Sequence, residues 1–162
     1  MLDMKKAALR EKKVNVRREL LSVLEGLSGK EWETAVYAED TKWTISDILR
    51  HLVSAEKGMT SLIVQFQQGN NPVPPDFDRE RYNKRIVEKA KEKSPTELLA
   101  EMEENQAQFL EVLASLTDED WQKNGRHASL NIYTIEELCH LIPDHEQNHL
   151  QHIQNAINVT NS

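Results

Sequence analysis

The sequence predicts an all-α domain built as a four-helix bundle, and three observations carry that prediction. Straight-chain helix formers dominate a composition with only 5 glycines and 5 prolines. Four long segments repeat apolar residues at helical spacing. An internal repeat relates the first two of these segments to the last two. The 162 residues suit a single domain over 1–162, and an apolar content of 38% is enough for its core.

The first helix is expected from about Met4 to Leu27, where Leu9, Val14, Leu20, Leu21, Leu24 and Leu27 recur and Gly26 and Gly29 mark the end. The second begins after Trp43: Thr44 is a good N-cap, Asp47 completes a capping box, and Trp43 and Ile48 can form a hydrophobic staple. It runs to about Gly69. Asn70–Asp76 holds Pro72, Pro74 and Pro75, which remove backbone donors and force extended conformations, so it is the main crossover loop. Residues 78–93 are charged, with sparse apolar positions at Tyr82, Ile86, Val87 and Ala90, and read as a short surface helix or a partly mobile segment outside the core. Ser94-Pro95-Thr96-Glu97 caps the third long helix, which carries Leu98, Leu99, Met102, Phe109, Leu110 and Leu113. Thr134 to about Val159 is the fourth, with Thr134 and Glu137 as capping box and Tyr133 and Leu138 as staple.

The repeat supports the same architecture. Leu24, Leu27 and Trp32 recur at an offset of 89 as Leu113, Leu116 and Trp121; Thr44, Asp47, Ile48 and Glu56 recur at an offset of 90 as Thr134, Glu137, Leu138 and Glu146. Two helix pairs related by a pseudo-twofold axis account for this, with short spacers making the members of each pair antiparallel or angled neighbours.

Charge excludes several function classes. Lys plus Arg number 20 against 27 Asp plus Glu, a formal charge of -7, so nucleic acid is not an expected partner. No apolar run approaches the ~18 residues of a membrane span, and the basic start is followed by no signal core. The lone cysteine, Cys139, permits no intramolecular disulfide and no cysteine-based zinc cluster; it reads as a buried structural thiol in a cytoplasmic protein.

Four of the six histidines fall within thirteen residues of the last helix. At ~100° per residue, His145, His149 and His152 lie on the apolar stripe with Leu138 and Ala156, whereas His140 lies well away from it. A buried imidazole without a partner costs on the order of 1–3 kcal/mol, so the stripe needs a ligand, a hydrogen-bond network or a wet cavity. His145 and His149, four apart, present their rings one turn apart as two ligands of one metal require. His51 on the second helix sits about 60° off the inward stripe and reaches the interior, so the three imidazoles make an open site for Zn, Ni, Fe or Mn. The alternatives are hydrogen-bonded core histidines and the seam of a homodimer. His152 is a further ligand, a donor behind the ligands or a lining residue, and His127, in a polar loop, and His140 are bystanders. Glu56 and Glu146 are either general bases or water positioners, or carboxylates solvated on the helix flanks. Trp32, Trp43 and Trp121 read as core anchors at interhelical corners, and Pro143 should kink or loosen the turn before His145.

Trp43-Thr44-Ile45-Ser46-Asp47-Ile48-Leu49-Arg50-His51-Leu52, with Glu56 after it, and His145-Glu146-Gln147-Asn148-His149-Leu150-Gln151-His152-Ile153 resemble the DinB-like family of metal-binding four-helix bundles over nearly the whole chain. The resemblance implies that His51, His145 and His149 bind a divalent metal. The ending His149-Leu150-Gln151-His152-Ile153 is similar to members related to bacillithiol S-transferases, which implies a bacterial enzyme acting on a small-molecule substrate, such as a low-molecular-weight thiol, by thiol transfer or hydrolysis. The family also contains stress-inducible proteins, so a non-catalytic metal or small-ligand binding protein is the alternative. The charged segment at 76–93 and the Pro-rich loop are candidates to cover such a site and select its substrate.

Overall fold

The computed structural model describes residues 1–38 and 41–161. In chain order it comprises α1 (Leu2–Glu25), a 3-10 turn (Glu31–Glu33), β1 (Ala35–Ala38), β2 (Thr41–Thr44), α2 (Ile45–Gln67), α3 (Arg79–Lys89), α4 (Pro95–Ser115), α5 (Asp118–Trp121), β3 (Asn124–Arg126), β4 (Ile132–Thr134) and α6 (Ile135–Asn161). The four long helices α1, α2, α4 and α6 are those the sequence predicts.

The starts of α2, α4 and α6 are fixed by the expected caps. Thr44 Oγ1 accepts the Asp47 N–H at 3.1 Å while the Asp47 carboxylate accepts the Thr44 N–H at 3.2 Å, and Thr134 and Glu137 repeat this at 3.1 and 3.0 Å. Ser94 caps α4, with Pro95 in its first turn. α6 runs on through Pro143.

Two antiparallel hairpins add to the helical expectation: β1 pairs with β2 from Ala35↔Thr44 to Ala38↔Thr41, and β3 with β4 from Asn124↔Thr134 to Arg126↔Ile132. Each feeds a capping box directly, so the internal repeat covers a whole hairpin-helix unit. The hairpins also change the packing. The main helix contacts run between the halves, α1 on α6 and α2 on α4, with α2 on α6 between them. The expectation that the members of each pair are each other's principal neighbours is corrected here, because a hairpin rather than a tight turn joins them.

The interior divides into two apolar cores. One holds Leu20, Leu24, Ile48, Leu52, Leu98, Met102, Leu150 and Ile153; the other holds Leu9, Ile63, Phe66, Phe109, Leu113, Leu138 and Ile142. Between them α1, α2 and α6 present polar side chains instead: Lys13 and Arg17, Glu56, and Glu146 and His149, all buried. α3 is more than a surface helix, since Val87 is 3% exposed and belongs to the first core. Among the described residues no helix is long and apolar enough to cross a membrane.

The β3–β4 hairpin lies hard against α2. A Cβ built on Gly125 would sit 2.2 Å from Phe66 Cε1, in a ring that is itself 1% exposed and unable to give way. Gly125→Ala is therefore expected to cost about 1–3 kcal/mol, read as a lower urea midpoint. An unchanged midpoint would show that the hairpin can lift away without loss.

Candidate metal centre

α2 carries His51 and α6 carries His145 and His149 onto one point. His51 Nε2 and His149 Nε2 each lie 3.2 Å from His145 Nε2, and one ligand nitrogen from each ring falls within 4.8 Å of the others. Two nitrogens each ~2.0–2.1 Å from one ion, at angles between octahedral and tetrahedral, stand about 2.9–3.4 Å apart, which these separations match. Hydrogen bonding alone fits less well. A neutral imidazole carries one N–H, so His145 Nε2 cannot donate to both neighbours, whereas three lone pairs facing one cation are all satisfied.

The surroundings keep the His51 and His149 rings neutral. His51 is 5% exposed and His149 fully buried. Burial first, then the neighbouring imidazoles and Arg79, push His51 down to about 2; burial and then His152 push His149 down to about 4. The Trp43 ring packs on His51 with centroids 5.2 Å apart, so this core anchor is also a wall of the site. His152 Nδ1 stands 3.5 Å from His149 Nδ1, on the side away from His145. With the His149 Nε2 lone pair turned inward, its Nδ1–H donates to His152, which fixes tautomer and ring orientation. Of the three sequence readings of His152, the position behind the ligands fits this geometry best, with His152 accepting there rather than donating.

Glu56 and Glu146 require the clearest correction. Neither is solvated, and neither is free to act as a base: they are 4% and 3% exposed and clamped by two cations from α1. Arg17 NH2 donates to Glu56 Oε1 at 2.7 Å and to Glu146 Oε1 at 2.8 Å, and Arg17 Nε donates to Glu146 Oε2 at 3.0 Å. Lys13 Nζ is 3.0 Å from Glu146 Oε1 and 2.7 Å from Glu56 Oε2, the latter an ion pair off the hydrogen-bond axis. α4 completes the cluster: Gln106 Oε1 accepts from Lys13 at 3.1 Å and the Met102 carbonyl from Arg17 at 2.8 Å. Burial opposes the charge on both Arg17 and Glu146, but their mutual hydrogen bonds and attraction win, raising the guanidinium and lowering the carboxyl. Sequence reasoning missed Lys13 and Arg17. Their signal was present: four residues apart, they fall on the stripe of Leu9, Leu20 and Leu24.

A cavity of about 580 Å³ opens from His51 and His145. Its apolar walls include Met59, Leu62 and Leu141; the Pro-rich loop and α3 supply Val73, Phe77, Arg79 and Tyr82, so both segments border the site. His127 is no bystander: it lines the same cavity, and its Nδ1 accepts the Ser129 N–H at 3.0 Å. Burial, then Arg79, lowers it to about 4. His140 is exposed, as expected from its phase. Cys139 is fully buried, and burial followed by Glu136 pushes its thiol up to about 12, which excludes it as a ready nucleophile.

Comparison with known proteins gives one consistent result. The model of the DinB superfamily matches residues 14–153. Among solved structures, YfiT from Bacillus subtilis, described as a probable metal-dependent hydrolase with an unusual four-helix bundle topology, is similar at a TM-score of 0.80 and 20% identity, over 96% of this chain and 87% of that one. An uncharacterised protein from Escherichia coli UTI89 is similar at 0.77 and 14% identity, over 96% and 94%. A mycothiol-dependent maleylpyruvate isomerase is similar at 0.73 and 13% identity; 94% of this chain spans 60% of that one. No curated protein matches the sequence.

Two outcomes are expected from the electrostatics. Arg17→Ala leaves two buried carboxylates with one cation and should cost about 3–5 kcal/mol in urea unfolding; a loss below about 1 kcal/mol would mean that water reaches the cluster. In chelator-treated protein, His51, His127 and His149 all have folded values below the ordinary ~6.5, so the unfolded chain takes up protons first. Stability should therefore be fully present above about pH 6.5 and decline as pH falls toward about 4. Denaturation midpoints at pH 7.5 and pH 5 check this, and equal midpoints would contradict it.

Proposed function

Because the chain belongs to the DinB superfamily, we propose that it is a divalent-metal-dependent enzyme for a small-molecule substrate, folded as a single domain over 1–162, with His51, His145 and His149 as the metal ligands. The observation that carries this reading is the convergence of three imidazole nitrogens on one point, with His51 and His145 lining the cavity that opens there. A divalent ion there supplies Lewis acidity, lowering the pKa of a coordinated thiol or water so that an anion forms at neutral pH.

The chain's own groups perform the rest. Three uncharged ligands leave the ion's charge undiminished, which favours an anionic nucleophile more than a carboxylate-rich set does. His152 holds the His149 tautomer, Trp43 shields His51 from solvent, and the Lys13–Arg17 pair engages Glu56 and Glu146 so that neither carboxylate competes for the ion. The thiol S-transferase and hydrolase readings share this apparatus. The fold-level likeness to a probable metal-dependent hydrolase and to a mycothiol-dependent isomerase supports that pairing.

Elemental analysis of untagged protein, wild type beside His51→Ala, His145→Ala and His149→Ala, tests the ligand set. Each variant should lose metal affinity by at least about tenfold, whereas His140→Ala should keep it. Undiminished metal in the His51 variant would dismantle the cross-helix site. Turnover of the loaded protein with a panel of thiols, electrophiles and esters then tests catalysis, and full occupancy without turnover of any would favour the non-catalytic binding alternative.

A further inference from the structure

The cavity above the three histidines has an unusual charge content. With 27 acidic residues in 162, one position in six is acidic, yet among the described residues none of those lining the cavity is. The only formally charged side chain on its wall is Arg79. That guanidinium makes no hydrogen bond or ion pair with any described residue, although carboxylates adjoin it in sequence. Those carboxylates are engaged elsewhere: Asp78 caps α3 by accepting the Arg81 N–H at 3.0 Å, and Glu80 pairs with Lys84 at 3.4 Å. In a chain of net charge -7, a cavity lined by no carboxylate and bordered by an exposed arginine without a partner among the described residues favours an anion.

His127, from the β3–β4 hairpin, adds a second donor to the cavity lining. Its Nδ1 accepts from the Ser129 N–H at 3.0 Å and meets the Ser129 hydroxyl at 2.8 Å, so the ring proton sits on Nε2. No described residue takes that Nε2–H. Phe77 and Tyr82, whose rings lie 5.4 Å apart and which flank Arg79 in sequence, join Met59 and Leu62 as apolar lining of the same cavity.

The geometry points to a carboxylate-bearing, otherwise apolar substrate: Arg79 and the Nε2–H of His127 hold the carboxylate, and the reactive end faces His51 and His145. This deepens the enzymatic reading above and rests on it for the identity of the reactive end. Discrimination comes from a charge-assisted hydrogen bond made by the acid alone, over apolar contacts shared with a neutral analogue.

Mercaptohexanoate and mercaptohexanol, equal in length and different in charge, are the probes. Titrated calorimetrically into zinc-loaded protein, the acid should bind roughly tenfold more tightly. Arg79→Gln should bring the two affinities together, with zinc content and mercaptohexanol affinity unchanged, and Arg79→Lys should restore part of the difference. Equal affinities in the wild type, or a preference that survives Arg79→Gln, would overturn the assignment. Failure of both thiols to bind zinc-loaded protein would count against the thiol chemistry instead. The carboxylate site is then decided on chelated protein with hexanoate against hexanamide: a preference for hexanoate that Arg79→Gln abolishes supports it, and no preference overturns it.

Discussion

Four charges buried between two apolar cores set the terms for the rest of this structure. Lys13, Arg17, Glu56 and Glu146 come from three helices, and a fourth helix supplies the remaining acceptors. Each ion carries a desolvation penalty of several kcal/mol, recovered only when every partner is in place. An apolar interface tolerates small slides and rotations of a helix, but this one does not. A shift of one residue in α1 would strand two carboxylates, and a rotation of α2 or α6 would strand a cation. The cluster therefore fixes axial position and rotation more than it adds stability. His51 precedes Glu56 by little more than one turn, and His145 is the immediate neighbour of Glu146, so the constraint that orients the glutamates also aims the imidazoles.

Much of the fold was legible because its signals are local. Capping boxes at Thr44 and Thr134, the prolines of 72–75 and the spacing of apolar residues each act within a few residues, and the four long helices follow from them. The histidines were legible for a related reason: His145 and His149 share a helix face by phase alone, and geometry brings His51 to them. The hairpins were not, because strands of three or four residues present too little alternation to register as a pattern. Lys13 was read as part of a basic start and Arg17 was not singled out, although their phase placed both inside. Charge type outweighed periodicity in that reading, and the buried partners that reverse the preference lie more than a hundred residues away in Glu146. His127 and Arg79 escaped for a third reason, since loops and short helices carry no phase that reports where a side chain will face.

Division of labour between the halves also follows from the connections. The Pro-rich loop and α3, which follow the second long helix, build the wall of the cavity that carries Arg79, Phe77 and Tyr82. The β3–β4 hairpin builds the wall that carries His127. The bundle supplies the imidazoles and the connections supply the surface a ligand would meet, an arrangement in which the histidine-bearing end can stay constant while the outer end varies.

The buried cluster also limits how alike the two halves can be. At the repeat offset of 89, Lys13 and Arg17 correspond to Met102 and Gln106, and the contacts cross over: Lys13 reaches Gln106 and Arg17 reaches the Met102 carbonyl, while Glu56 and Glu146 face the same cations from equivalent places. The pseudo-twofold axis thus runs through the charges themselves. Two identical halves would surround the paired glutamates with four cations, or with none, and either leaves uncompensated charge in a dry interior. In this chain neutrality at the axis is reached because one half donates both cations and its twin, with Met102 and Gln106 at the matching positions, donates none. With these residues, neither half could be replaced by a second copy of the other.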